Sequence, residues 1–501
     1  MNPLLLTDGY KTGHHQQYPK GTTLVYSNFT PRSNKYAPTR CDEVVSFGQQ
    51  MIMKQIHEAF QNEFFSKPKD EVCGEMKREL SLYLGTDYDV THFEKLHDLG
   101  YLPINVKGIE EGTLVPMKVP VLTIYNTLPE FYWVTNYLET IISNLLWKPM
   151  TSATIAHTYR KVLTKWQEKT DSERGWFIDW QGHDFSMRGM DSVEATISSG
   201  LGHLTSFSGT DSLPAIYGAR KYYNETGFVG GSVNATEHSV MCAGSKDDEV
   251  GTFRRLLQTY PTGILSVVSD TWDLWKVCTE HIVTLKEEIL ARDGKLVIRP
   301  DSGDPVEILC GKMFELGATL TGKQISEAKG VIELLWDVFG GTTNEQGYKV
   351  LDSHIGAIYG DSITIERAHE ICRRLEAKGF ASTNVVLGIG SFTYQYNTRD
   401  TFGFAMKATY VELEEHFKAT DEHPAGYRIV GREIFKDPIT DDGTKKSATG
   451  LLAVYDNYEG GLTLIDKASW ETENEGKLKT IYKDGKFYNE TTLTDIKNKL
   501  K

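Results

Sequence analysis

An α/β protein built around a barrel of parallel strands is what this sequence predicts. Short apolar runs end repeatedly in a polar or glycine-bearing turn and resume as an amphipathic helix. Five or so such units follow one another between about residues 175 and 395. Their turns are rich in Asp, Ser, Gly and Arg. Serial strand–turn–helix units give parallel strands with crossover helices, and the turns at the strand ends then gather at one rim, where such folds bind ligands.

The clearest unit is Leu296-Val297-Ile298, a buried strand that runs into Arg299-Pro300-Asp301-Ser302-Gly303-Asp304-Pro305. Asp304 reads as an N-cap and Pro305 as the first helical residue, opening a helix through Val306-Glu307-Ile308-Leu309. Ile264–Val268 runs into Ser269-Asp270-Thr271-Trp272-Asp273 and a helix. Ala357-Ile358-Tyr359 runs into Gly360-Asp361-Ser362, with a helix near Ile365–Ala377. Val385-Val386-Leu387 runs into Gly388-Ile389-Gly390-Ser391. Thr205–Ser208 reads as a strand entering Gly209-Thr210-Asp211, followed by a helix over Leu213–Tyr222.

The chain ends have a different texture. Leu24–Phe29 alternates like a strand, while Phe47–Phe60 and Phe131–Leu146 have helical spacing. After Thr401, Ala405–Leu413, Tyr427–Phe435, Gly450–Tyr455 and Leu462–Ile465 read as strands of a meander. The expected organisation is a discontinuous mixed α/β domain from residues 1–150 and 400–501, with a barrel domain over residues 151–399. Gly311–Gly330 and Gly340–Gly347 read as surface loops or an insertion.

Composition narrows the function classes. The 501 residues are 40% hydrophobic and 24% charged, and 54 basic against 68 acidic residues give a net charge of −14. That balance fits a soluble globular protein and disfavours nucleic-acid or membrane partners, while a local arginine cluster still suits a small anion. Cys41, Cys73, Cys242, Cys278, Cys310 and Cys372 show neither C-x-x-C spacing nor a disulfide framework. The N-terminus lacks the basic lead of a signal peptide, and no run approaches the ~18 apolar residues of a membrane span. A cytoplasmic location is the expectation.

Phosphate-binding P-loop, complete dinucleotide-binding, zinc-protease and nucleophile-elbow motifs are all missing. Gly388-x-Gly390 can present backbone N–H groups to a phosphate or form a plain tight turn. Arg188, before Gly189, suits bidentate phosphate binding or a surface ion pair. Phe185 can stack on a flat ring or fill the core. His238, in Glu237-His238-Ser239, is a nucleophile, a proton shuttle or a structural histidine. Asp273, Asp301 and Asp361 suit ribose hydroxyls or magnesium, or cap their helices.

Taken together, nine segments resemble the nicotinamide phosphoribosyltransferases, a family of type II phosphoribosyltransferases. They are Thr7-Asp8-x-Tyr10-Lys11, His183-Asp184-Phe185-x-x-Arg188-Gly189, Gly209-Thr210-Asp211, Glu237-His238-Ser239, Val268-Ser269-Asp270-x-x-Asp273, Ile298–Gly303, Gly360-Asp361, Thr398-Arg399-Asp400 and Phe435-Lys436-Asp437-Pro438. The resemblance implies an irregular, TIM-like α/β barrel plus a mixed α/β domain from both chain ends. It implies a homodimer with sites at the interface. The implied reaction joins nicotinamide to C1 of 5-phosphoribosyl 1-pyrophosphate, with nicotinamide mononucleotide and pyrophosphate as products, in NAD salvage.

The resemblance also distributes roles. Phe185 and the Tyr10 of a second subunit sandwich the pyridine, with Asp8 nearby, and Arg299 and Asp211 meet the amide. Asp301 and Asp361 hold the ribose; Arg188, Gly360, Gly390 and Ser391 serve ribose and phosphate; and Arg32, Arg399 and Lys407 hold phosphate and pyrophosphate across the dimer. Mg²⁺ bridges the pyrophosphate. His238 is phosphorylated by ATP, supported by Glu237, Ser239, Ser269 and Asp273. Asp211 accepts from an amide N–H₂ and repels the carboxylate of nicotinate, so the amide is the expected substrate. The chain departs from better-known members at Gly356 (an arginine there in many), Ser391 (a glycine) and Met187 (an aromatic residue). The rival readings are a nicotinate phosphoribosyltransferase, a sugar-phosphate barrel lyase or aldolase, and a catalytically silent relative.

Overall fold

A computed structural model describes residues 1–38, 41–360, 362–418, 425–436, 439–440 and 447–501. The chain divides into two compact units, one of Met1–Thr154, Ala219–Glu225 and Asn397–Lys501, the other of Ile155–Gly218 and Thr226–Tyr396.

The unit that contains both termini is organised by a seven-stranded antiparallel sheet. Its order is Gly426–Glu433, Ala405–Phe417, Thr22–Thr30, Leu122–Asn126, Ile104–Gly108, Lys479–Lys483, Lys486–Phe487. Thr22–Thr30 is rich in β-branched and aromatic residues, which suits a central strand. Val25, Tyr26 and Phe29 are fully buried along it. The expected C-terminal meander is split. Ala405–Phe417 and Gly426–Glu433 extend this sheet, whereas Leu451–Asp456 and Leu462–Ala468 form a separate hairpin. The helix expected over Phe131–Leu146 runs from Tyr132 to Thr170, through Pro149. Proline removes one helical hydrogen bond, but Met150, Ala153, Ile155, Ala156, Tyr159 and Leu163 beyond it are all buried, and that burial keeps the helix going.

A buried carboxyl makes this unit sensitive to pH. Glu111 accepts hydrogen bonds from the Gln50 backbone at 2.8 Å and from the Tyr223 hydroxyl at 2.8 Å. Burial pushes its carboxyl from 4.5 up to about 7, against the pull of those hydrogen bonds. A raised folded-state value means that the folded protein binds the extra proton between these limits. The contribution of this group to stability is therefore fullest below about 4.5 and is lost as pH rises toward 7. Glu111→Gln is expected to flatten that slope, worth on the order of 3 kcal/mol, in urea unfolding followed across this pH window.

The second unit carries a seven-stranded sheet whose neighbours are all parallel. Its order is Gly209–Thr210, Gly182–Asp184, Val385–Ile389, Ile355–Tyr359, Asp293–Arg299, Thr262–Val268, Asn234–Ala235. A parallel bridge between Gly209 and Gly231 links the first strand to the segment entering the last, so the sheet curls into an irregular barrel. Crossover helices follow as the sequence indicated. Asp304 caps Pro305–Cys310 by accepting from Val306 N at 2.9 Å and Glu307 N at 3.0 Å, and Ile365–Ala377 is a helix capped by Thr364.

Three expected segments are corrected here. Thr205–Ser208 is not a strand but the closing turn of the helix Val193–Leu204: Ser206 N and Phe207 N both donate to His203 O at 3.0 Å, and the Thr205 hydroxyl donates to Gly202 O at 2.7 Å. Gly311–Gly330, expected as loop, contains the helix Gly322–Lys329, started by a Thr321/Gln324 capping box. Gly340–Gly347 spans part of a short hairpin, Gly341–Thr343 against Lys349–Leu351.

Candidate active site

The strand Asp293–Arg299 sets the geometry. Strand residues alternate between faces: Leu296 and Ile298 are fully buried in the core, while Lys295, Val297 and Arg299 line a cavity of about 380 Å³. Phe185 and His183 line the same cavity, their rings 4.5 Å apart between centroids. Phe185 is half-buried, and its N–H is fixed on Ile389 O at 3.0 Å. His183 Nε2 lies 2.9 Å from Asp211 Oδ1. Burial pushes the Asp211 carboxyl upward, but hydrogen bonds from His183 and Ser232 and the charges of His183 and Arg299 outweigh it and hold the carboxyl below its usual value. Arg299 donates to Thr236 O at 2.6 Å, and its buried Nε has no hydrogen-bond partner. Burial lowers its pKa, opposed by the carboxylates of Asp301, Asp211 and Asp270. The result is a flat apolar surface beside a fixed carboxylate and an unsatisfied guanidinium, a set that suits an aromatic amide.

His238 begins the helix His238–Ala243, just beyond the strand Asn234–Ala235, and is 46% exposed. Its Nε2 lies 3.1 Å from Asp301 Oδ1 and 3.9 Å from Asp270 Oδ1, and its Nδ1 lies 3.1 Å from the Thr271 hydroxyl. Asp270 ties this corner together. Its Oδ2 accepts from Asp301 N at 2.9 Å, Ser302 N at 2.8 Å and the Ser302 hydroxyl at 2.5 Å, while the buried Oδ1 has no hydrogen-bond partner. Ligand atoms of His238, Asp270 and Asp301 all lie within 4.8 Å of one another. Ser239 donates to Glu237 in a short hydrogen bond. Ser269 and Asp273, expected to support the histidine, are engaged locally: the buried Ser269 hydroxyl donates to Val267 O at 2.7 Å, and Asp273 caps Leu274–Lys276.

The remaining barrel residues sit on turns at the same strand ends. A Cβ at Gly189 would fall 2.1 Å from the Ser391 hydroxyl, so only glycine lets the Arg188 turn approach the Gly390–Ser391 turn so closely. Arg188 is exposed and contributes to the electrostatics at Arg299. Gly360 N donates to Pro300 O at 3.0 Å, and a Cβ on Gly360 would meet Asp301 Cβ at 3.1 Å. Asp361, Asp437 and Pro438 lie outside the described residues.

Asp8, Tyr10, Arg32, Arg399 and Lys407 belong to the unit with the chain ends. Asp8 accepts from the Thr140 hydroxyl at 2.8 Å, and Tyr10 is 67% exposed. Between them and the core, Lys11 is buried in an ion pair with Glu139 at 2.6 Å. Arg32 Nε donates to Gly403 O at 3.0 Å, and Arg399 pairs with Asp400 at 3.4 Å. Burial lowers the Lys407 pKa, and the positive charges of Arg32, Lys436 and Arg399 lower it further. These four cations form a cluster suited to a polyanion.

Sequence reasoning left four of these residues without a role. Asp270 and Lys436 lie inside the quoted motifs and were separable from their neighbours only by geometry. Thr271 follows Asp270 directly. His183 precedes Asp184-Phe185, and its pairing with Asp211, 28 residues away, depends on the parallel pairing of the two short strands.

Comparisons with known proteins show the family and the fold. Residues 180–485 match the nicotinate phosphoribosyltransferase (NAPRTase) family, and residues 2–77 match the N-terminal domain of nicotinamide phosphoribosyltransferase. The chain is 49% identical over 512 residues to the nicotinamide phosphoribosyltransferase of Acinetobacter baylyi, covering 100% of this chain and 97% of that one. It is 31% identical to that of Xanthomonas campestris pv. campestris, covering 99% and 97%. Among solved structures, nicotinate-nucleotide pyrophosphorylase from Pyrococcus furiosus aligns with a TM-score of 0.56 at 15% identity over 100% of this chain and 95% of that one. Human nicotinic acid phosphoribosyltransferase aligns at 0.54 and 14%, over 99% and 92%, and both likenesses speak to the fold alone. With a full-length relative at that level of identity, the chain belongs to the nicotinamide phosphoribosyltransferases, within the nicotinate phosphoribosyltransferase family.

Proposed function

We propose that the chain transfers the phosphoribosyl group of 5-phosphoribosyl 1-pyrophosphate to nicotinamide, and that ATP drives the reaction through phosphorylation of His238. The observation that carries the reading is the meeting of Phe185, Arg299 and the His183–Asp211 pair at a cavity whose neighbouring strand ends hold Asp301 and His238.

The ring nitrogen of nicotinamide forms a bond to C1 of the ribose as the C1–O bond to pyrophosphate breaks, and pyrophosphate leaves with the electron pair. The transition state has oxocarbenium character, so the protein positions the partners and stabilises charge. Phe185 stacks on the pyridine, Asp211 accepts from the amide N–H₂, and Arg299 donates to the amide oxygen. Asp301 and Asp361 hold the ribose hydroxyls, with Gly360 close by. Arg188, Gly390 and Ser391 serve the 5-phosphate. Tyr10, Asp8, Arg32, Arg399 and Lys407 act in a homodimer in which a second copy completes the site.

The donor set also fits magnesium. Asp270 Oδ1 is a buried carboxylate oxygen beside Asp301 that accepts no hydrogen bond, and hard oxygen ligands suit Mg²⁺. The ion would neutralise charge on the pyrophosphate, which itself supplies most of the ligands, with Asp270 and Asp301 as the protein's contribution.

For the location, what stands is that no helix among the described residues is long and apolar enough to cross a membrane. The cytoplasm is where ATP and phosphoribosyl pyrophosphate would meet the enzyme. Incubating the protein with nicotinamide, phosphoribosyl pyrophosphate and Mg²⁺, with and without ATP, is expected to yield nicotinamide mononucleotide faster with ATP. Nicotinate consumed in preference to nicotinamide would favour the rival family activity.

A further inference from the structure

The reaction assigned above uses Asp211 for the amide and gives no task to the imidazole that holds it. His183 is the middle residue of the strand Gly182–Asp184 and is flanked by glycine on both neighbouring strands, paired in parallel with Gly209 on one side and Gly388 on the other. His183 and Phe185, two residues apart, both line the cavity. The imidazole is enclosed. It is 8% exposed, the Phe185 ring lies 4.5 Å away at 33°, and a Cβ on Gly209 would fall 2.7 Å from Nδ1 and 3.3 Å from Cγ. Only glycine at 209 lets the ring lie against that strand, and between Gly209 and Phe185 it has little room to turn.

One ring nitrogen is committed. Nε2 lies 2.9 Å from Asp211 Oδ1, and an ionised carboxylate only accepts, so Nε2 carries a proton. Asp211 depends on that donor. Its backbone is pinned, with N donating to Asp184 O at 3.0 Å, but its side chain is 42% exposed. Burial of the remainder works against the charge, and it is opposed by the hydrogen bond of His183, then that of Ser232, then the charges of His183 and Arg299. A carboxylate offers about four lone-pair sites. His183 and Ser232 occupy part of that capacity, fix the carboxyl plane and leave the rest for an amide N–H₂. Discrimination between an amide and a carboxylate depends on such an acceptor staying charged and aimed. A carboxyl free to swing away or to take up a proton meets nicotinate with less repulsion.

We propose that His183 is a positioning residue that sets base selectivity: by donating from Nε2 to Asp211, it holds the carboxylate in the orientation that accepts from nicotinamide and repels nicotinate. The proposal rests on the place given above to the amide beside Asp211. His183 touches neither base; it acts through the carboxylate.

The measurement is kcat/KM for nicotinate over nicotinamide, in the full-length protein with phosphoribosyl pyrophosphate, Mg²⁺ and ATP. Where nicotinate turns over too slowly to follow, its inhibition constant against nicotinamide replaces its kcat/KM. A ratio taken on one enzyme cancels damage that slows both bases alike, so a merely structural histidine would not move it. His183→Leu is expected to raise the ratio about tenfold toward nicotinate, the value of one hydrogen bond to a charged group. His183→Gln, whose side-chain amide can donate from the place of Nε2, is expected to stay within about twofold of the unaltered protein. In an Asp211→Asn background, His183→Leu is expected to add nothing to the ratio, because the carboxylate it acts through is gone. Thermal melting reports the folding of each variant, and His183→Met, which fills the space of the ring without a donor, stands in if the leucine variant is unfolded. An unchanged ratio in the leucine or methionine variant, an equal rise in His183→Gln, or a rise that persists in the Asp211→Asn background overturns the proposal. Failure of the unaltered protein to use nicotinamide, or its preference for nicotinate, overturns instead the reading on which the proposal rests.

Discussion

Asp211→Asn is expected to shift the ratio of kcat/KM for nicotinate over nicotinamide by about 100-fold toward nicotinate. The effect follows from the ionised state of Asp211. Burial works against it, but the hydrogen bonds of His183 and Ser232 and the charge of Arg299 prevail. A nicotinate carboxylate ~4 Å away meets a repulsion of about 4 kcal/mol at an effective dielectric near 20. The side chain is 42% exposed, so solvent screening reduces this to about 3 kcal/mol, or ~100-fold. Asparagine keeps an oxygen to accept from the amide and removes the repulsion. Steady-state rates with both bases test this, and a ratio that does not move would show that discrimination lies elsewhere.

His238→Ala is expected to abolish stimulation by ATP while leaving slow synthesis of mononucleotide. The imidazole lies between Thr271 on one nitrogen and Asp301 on the other, and it is exposed enough for a phosphoryl group to reach it. A carboxylate beside one ring nitrogen orients the ring and stabilises positive charge on it as the phosphoryl group arrives. The residues proposed to stack on the base and hold its amide are separate side chains, so they survive the change. Acid-labile phosphate on the protein after incubation with ATP, and ADP release with and without nicotinamide, are the readouts. Persistence of either the phosphate or the stimulation in the variant would move the acceptor to another residue.

The barrel was largely legible because its signals are local. Asp304 and Pro305 cap a helix in this sequence as they would in almost any context, and the apolar run before Arg299 needs no partner to be recognised. Thr205–Ser208 misled because β-branched and aromatic residues there serve a helix end, with Phe207 buried under the sheet strand Gly182–Asp184 through contact with Gly182. The helix Gly322–Lys329 carried a visible Thr–x–x–Gln start that the flanking glycines masked. In the site, residue types were readable and pairings were not. Nothing local in the sequence says that His183 will meet Asp211, that Asp270 rather than Asp273 will face His238, or that Lys295 will fill the space beside Gly356.

The N-terminal strand Thr22–Thr30 has a consequence for biosynthesis. One of its edges is completed by Ala405–Phe417, so its partner is translated only after most of the chain has been made. At ~5–20 residues per second, the nascent strand waits roughly 20 to 80 s with that edge open. Over the same interval most of the barrel segment, Thr226–Tyr396, leaves the ribosome as one contiguous stretch. Unpaired edges attract foreign strands, so a ribosome stalled before residue 405 would leave a chaperone client with its first strand still unpaired on that side.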